Sequence, residues 1–350
     1  MFTKESIELR HHFLPLSDVK SSKELKKLYE HFKNIKLQPL HEIYYNQTNK
    51  MDIKLEPSKY VPDQISRNIY TMNQTIVVFI VGKLKIKLII HGEKEVKTFI
   101  EKIKHVIRFV CSLSSITINE LVINYYLIDE KKMIGKNTKI LTPYEINSGF
   151  CNDESKLTEI TIYRTEEIIK VTIHELIHAL QYDYREESNK IISHYQNKYN
   201  ITSERINSYE AYTEIWANII NCYLLSQMVK RSNYDLFITL IAIEKAFTRF
   251  QTEKVFYITD LSTKKIDINE KTNTLSYFII RCELYQKLNL FLKFCRLNNN
   301  YVKMKNTAKW FDFLKKNQLV KKNNRRFNRI NKQGFLYKNM RMSMNELNIY

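Results

Sequence analysis

Inside Val171-Thr-Ile-His-Glu-Leu-Ile-His-Ala-Leu180, the array His174-Glu175-Leu-Ile-His178 sets two imidazoles four residues apart, with a carboxylate beside the first. On a helix, residues four apart share a face, so His174 and His178 can hold one metal ion between them. Glu175 lies one step round the helix, where it can take a proton from a metal-bound water. The motif is short, so its surroundings decide its weight. The bland reading is a core helix whose two His are satisfied by hydrogen bonds.

Zinc held by two His needs a third protein ligand, commonly a carboxylate from a neighbouring helix. Tyr209-Glu210-Ala-Tyr-Thr-Glu214-Ile-Trp216-Ala217 offers two such groups on one face of a second long helical stretch. One Glu can bind the metal while the other hydrogen-bonds the free ring nitrogen of a ligating His and fixes its tautomer. The spacing alone leaves Glu210 and Glu214 as alternatives. The 31 residues between His178 and Glu210 are enough to loop out and return antiparallel.

The elements that must position these residues can be read from periodicity. Leu157-Thr-Glu-Ile-Thr-Ile-Tyr163 alternates and predicts a strand. Thr165 is the expected N-cap of the motif helix, with Glu166 and Glu167 in its first turn. Ile169, Ile173, Leu176, Ile177 and Leu180 form its apolar face. Upstream, 75–81 and 84–90 read as a hairpin about Gly82-Lys83, with lysines keeping one face of the second strand wet. A helix over 93–113 and a third strand over 121–128 follow. The loop with Gly135, Pro143 and Gly149 leads to the 157–163 strand, which at a sheet edge would pair an extended substrate.

Residues 21–32 predict an amphipathic helix, and 51–68, with Pro57 and Pro62, a linker. His11-His12 has nothing nearby to complete a metal site. After residue 180 the pattern is helical over 186–200, 205–230, 234–252, 274–297 and 304–319, with 255–258 a short strand or turn. The expected fold is α+β: a small twisted mixed sheet with helices leads into the His-bearing helix, and a mainly α-helical half follows. Four parts are expected: a helical segment over 1–60, an α/β part over 61–185, a helical part over 186–320 and a basic tail over 321–350.

His174 to His178 with the later Glu-x-x-x-Glu resembles the glutamate-ligand zinc peptidases (gluzincins), and Ile215-Trp216-Ala217 is similar to the aromatic-Ala step that follows that pattern in several of them. Ile146-Asn-Ser-Gly-Phe150 and Ile160-Thr-Ile-Tyr-Arg-Thr-Glu-Glu167 are similar to metallopeptidases of large nucleocytoplasmic DNA viruses. The likeness covers roughly residues 140–220. It implies a zincin-like fold, one Zn²⁺ per chain on His174, His178 and Glu210, and Glu214 as outer partner or alternative ligand. It also implies Glu175 as general base in hydrolysis of a protein or peptide substrate, and a cytoplasmic, virus-factory or virion setting. Tyr182, Tyr209, Tyr212 and His194 are candidate oxyanion donors by their nearness to the motifs.

With five Gly and five Pro in 350 residues, long helices are favoured over loops. No apolar run approaches the roughly 20 residues of a bilayer span. The first residues lack an apolar signal core, and the five Cys are odd in number and scattered, which together predict reduced cytosolic thiols. Cys151 sits just ahead of the 157–163 strand. The net charge of +19 attracts nucleic acid or acidic partners, and 313–345 holds ten Lys or Arg with no Asp or Glu. The competing function is therefore a basic nucleic-acid-binding or virion structural protein with a structural zinc. Such a site needs a fourth ligand, for which Asp183 is the nearest candidate.

Overall fold

Two helices come first, α1 (Lys4–Phe13) and α2 (Lys23–Lys33), and the hydroxyls of Thr3 and Ser22 cap their first turns. A sheet follows: β1 (Leu40–Ile53), α3 (Asp63–Ser66), β2 (Tyr70–Val81) and β3 (Leu84–Gly92). Helix α4 (Lys97–Cys111) crosses to β4 (Glu120–Tyr126), and α5 (Pro143–Ile146), β5 (Gly149–Asn152) and β6 (Thr158–Ile162) complete the sheet. The remainder is helical, beginning with α6 (Ile168–Ala179), α7 (Asn189–Tyr199), α8 (Ser208–Val229) and α9 (Tyr234–Ile258). A π-helical segment, Leu275–Ile280, runs into α10 (Arg281–Gln286), followed by α11 (Leu288–Asn298), α12 (Thr307–Lys315) and α13 (Phe335–Lys338). This computed structural model describes all residues except 1, 94, 136–137, 153–156, 185, 204–205, 230–232, 260–271, 318–319, 321–326, 328–329 and 349–350.

The strands form one six-stranded mixed sheet in the order β1-β2-β3-β4-β6-β5. β3, β4 and β6 run parallel, while β1, β2 and β5 join by antiparallel pairing. In β3, Lys85 and Lys87 are exposed between buried Leu84, Ile86 and Leu88, so the alternation predicted a half-wet strand correctly. Helix α6 lies on β5 and β6 and is covered on its other side by α8, with α4 alongside. Every residue of α6 is therefore buried, which goes beyond the one apolar face expected of it.

Four expectations need correction. β1 occupies 40–53, where a helical segment and a linker were expected, because its side chains are mostly solvent-exposed on both faces and leave no alternation to read. The sheet edge beside the motif helix is β5, and the strand read at 157–163 lies one place in. The chain passes close there: a Cβ on Gly149 would stand 2.8 Å from the Thr161 carbonyl oxygen and 3.2 Å from Val171 Cγ1, so only glycine fits. Residues 255–258 continue α9.

The fourth correction concerns the basic tail. Residues 340–345 are buried, and Phe327 packs against Phe250 and Tyr257, so that ring is not presented for stacking on bases. The arginine-rich stretch over 323–326 lies outside the described residues, as do 328 and 329. No described helix is long and apolar enough to cross a membrane.

Candidate metal centre

Helix α6 carries His174, Glu175 and His178, and α8 carries Glu210 and Glu214. Their spacing of four residues on α6 sets the Nε2 atoms of His174 and His178 3.1 Å from each other, and packing of α8 adds Glu210. Glu210 Oε2 lies 3.5 Å from the first and 3.3 Å from the second. Among the described residues, His174, His178 and Glu210 are the group of three donors close enough to share one ion.

The other ring nitrogens decide what these atoms are. His174 Nδ1 lies 2.8 Å from Glu214 Oε2. A carboxylate only accepts, so that nitrogen carries the proton and Nε2 presents a lone pair. His178 Nδ1 lies 2.7 Å from Asp183 Oδ2, a close ionic contact that is not aligned as a linear hydrogen bond. Asp183 is itself held by Thr213 Oγ1, which donates to it at 2.8 Å. When both rings are neutral with the proton on Nδ1, two lone pairs and a carboxylate oxygen converge. That donor set fits a divalent ion of the zinc type.

The electrostatics point the same way. Burial opposes charging of both rings, yet Glu210 and Glu214 beside His174, and Asp183 and Glu210 beside His178, outweigh it and raise both pKa values. Burial alone would raise the Glu210 carboxyl, but the two imidazoles hold it well below the usual range. The cluster calls for positive charge.

Local structure explains the placement of each partner. After α6, Gln181 adopts φ 53°. The Tyr182 amide donates to the Ile177 carbonyl, and the Gln181 amide to that of His178, closing a Schellman cap on a non-glycine residue. This turn brings Asp183 back against His178. Thr165 is not the N-cap expected of α6: the helix begins at Ile168, after Glu167 at φ 60°. Glu166 and Glu167 are not solvated first-turn acids either. Glu166 accepts the Lys132 amide, and Glu167 pairs with the Lys132 ammonium.

Glu210 and Glu214, left open by spacing, take different places. Glu210 faces both Nε2 atoms, whereas Glu214 is fully buried behind His174 and accepts from Lys170 Nζ at 2.6 Å and Arg281 Nη1 at 2.8 Å. Asp183 stands behind His178, away from the convergent nitrogens, so it does not close the site as a fourth ligand. A cavity of about 300 Å³ opens in front, lined by His174, Glu175, His178 and Glu210 on one side and by Gly149, Phe150, Cys151 and Tyr277 on another.

None of the four suggested oxyanion donors lines this cavity. The Tyr182 hydroxyl donates to the carbonyls of Val110 and Ser114, and that of Tyr212 to Tyr301 and Val302. Tyr209 packs on Tyr184, and His194 on Tyr195 and Phe311. The tyrosine that does face the site is Tyr277, on the π-helical segment, with its hydroxyl 3.1 Å from Glu210 Oε2. Burial, with Glu210 and Glu175 nearby, pushes its phenol well above the ordinary value, so it stays a donor. No spacing rule linked it to the motif. Lys170 did carry a signal: it is the one Lys or Arg in the motif helix, a turn ahead of His174.

No protein-family model, curated protein or solved structure matches this chain.

Proposed function

We propose that this chain is a zincin-like metallopeptidase in which His174, His178 and Glu210 hold one zinc ion and Glu175 is the general base. One observation carries the reading: two imidazoles with their Nδ1 atoms turned to carboxylates aim their Nε2 atoms at Glu210, beside Glu175 on a cavity wall. When bound, zinc supplies a Lewis acid that polarises a carbonyl and acidifies water. The Glu175 carboxylate takes the proton of the attacking water and returns it to the leaving amine. The Tyr277 hydroxyl, kept protonated, donates to the oxygen that gains charge as the carbonyl carbon becomes tetrahedral. Glu214 and Asp183 keep both rings in the tautomer that leaves Nε2 free to bind.

The substrate class follows from the strand at the mouth. β5 is the edge strand at the motif-helix end of the sheet and borders the cavity through Gly149 and Phe150. An extended peptide can add there as a further strand and bring its carbonyl to the site. The competing structural-zinc reading needs a fourth protein donor, and the cavity lies where that donor would sit.

The test uses the full chain with zinc and an unfolded protein as substrate. Cleavage is expected, abolished by a chelator and restored by zinc. Glu175→Gln should bind as much zinc as wild type and lose about 10²–10⁴-fold in turnover. A Glu175→Gln variant as fast as wild type would remove the general base from the account.

A further inference from the structure

The segment over 339–347 meets the frame of the metal centre from two sides. On one side, Arg281 Nη1 donates both to the Met342 carbonyl at 2.7 Å and to Glu214 Oε1 at 2.8 Å. Glu214 Oε2 is in turn the acceptor for His174 Nδ1. On the other side, the Met342 amide donates to Glu167 Oε1 at 3.0 Å, and the Ser343 amide bonds the same oxygen. Glu167 is the left-handed residue that launches α6, and its own amide donates to Glu346 Oε1 at 2.5 Å. A non-glycine residue keeps such a conformation only where its surroundings over-determine it. Here they do.

The far side of the segment is gripped by α9. Glu244 Oε1 accepts from Ser343 Oγ at 2.6 Å, from the Met344 and Asn345 amides at 2.9 Å, and from Asn345 Nδ2 at 2.8 Å. Glu244 touches none of the donor atoms of the metal centre. From α8, Asn221 adds a bond to the Asn345 carbonyl at 3.1 Å.

We infer that segment 339–347 is a positioning element of the metal centre proposed above, on which reading this inference rests. By holding Arg281 and the start of α6, the segment fixes the Glu214 carboxylate, and through it the plane of His174. A ligating imidazole binds tightly only when its outer partner is fixed. Docking of the segment and binding of metal are therefore coupled, and the coupling is reciprocal: zinc must tighten the segment as much as the segment tightens zinc.

The experiment compares full-length wild type, Glu244→Ala and Glu244→Gln. Zinc affinity is read by competition with a chromophoric chelator, at a temperature where circular dichroism shows each protein folded. Amide hydrogen exchange over 342–345 is read with and without zinc. Glu244→Ala, which frees the far side of the segment, should weaken zinc about 10-fold. Glu244→Gln keeps the accepting oxygen and should bind like wild type. In wild type, zinc should slow exchange at those amides. A folded Glu244→Ala with wild-type affinity overturns the inference and leaves the segment a core filler. Should that variant not fold, unchanged exchange in wild type on adding zinc overturns it equally. Wild type that binds no zinc is a different outcome, which sinks the metal centre itself and this inference with it.

Discussion

Two buried acidic clusters lie on either side of His174, and they are built oppositely. Behind the ring, each carboxylate meets a cation: Glu214 pairs with Lys170 and Arg281, Glu167 with Lys132, and Glu346 with Arg341. In front of it, Glu210 faces two imidazole nitrogens, and among the described residues no Lys or Arg pairs with it. The rear cluster carries its own counter-charges within the chain, which offset the cost of burying its carboxylates. Among the described residues, the front carboxylate has only the two imidazoles as its close counter-groups. The described residues thus place four paired cations on one side of the histidine, while on the other Lys59 lines the cavity without an ion pair to Glu210. A local rule left unsatisfied beside a cavity marks a working site.

The comparison can be broken at either end. The largest effect is expected at the rear: Glu214→Ala strands Lys170 and Arg281 without their acceptor. It should cost about 3–5 kcal/mol in urea unfolding of the metal-free protein. A loss below about 1 kcal/mol would mean that the rear network is not a structural frame. At the front, Tyr277→Phe removes one donor from the cavity and leaves the rear cluster whole. Turnover should fall about 10²-fold, with zinc content and thermal midpoint close to wild type. Unchanged turnover would take Tyr277 out of the oxyanion role.

The front cluster and Glu214 behind it were legible in the sequence and the other rear partners were not, for a physical reason. His174, His178, Glu210 and Glu214 sit at helical spacings, and a helix converts spacing into a shared face whatever its tertiary setting. Lys132, Arg281 and Arg341 reach the same place from a loop, from the end of a π-helical segment and from an irregular strap, none with a period to read. Read alone, Arg341 was one more charge in a basic tail and Glu167 one more acid in a first helical turn. In the structure the first is buried against Glu346, and the second holds Met342 and Ser343. β1 escaped for a related reason: its ladder to β2 is made by backbone, while its side chains give no alternation. The hairpin, α4 and β6 were read correctly because one face of each is packed and the other is not.

The most direct test of the central claim is the zinc content of the chain purified without added metal, wild type against Glu210→Ala. The account predicts about one zinc per folded wild-type chain and none in folded Glu210→Ala. Folded wild type that carries no zinc, even after zinc is added back, would contradict it.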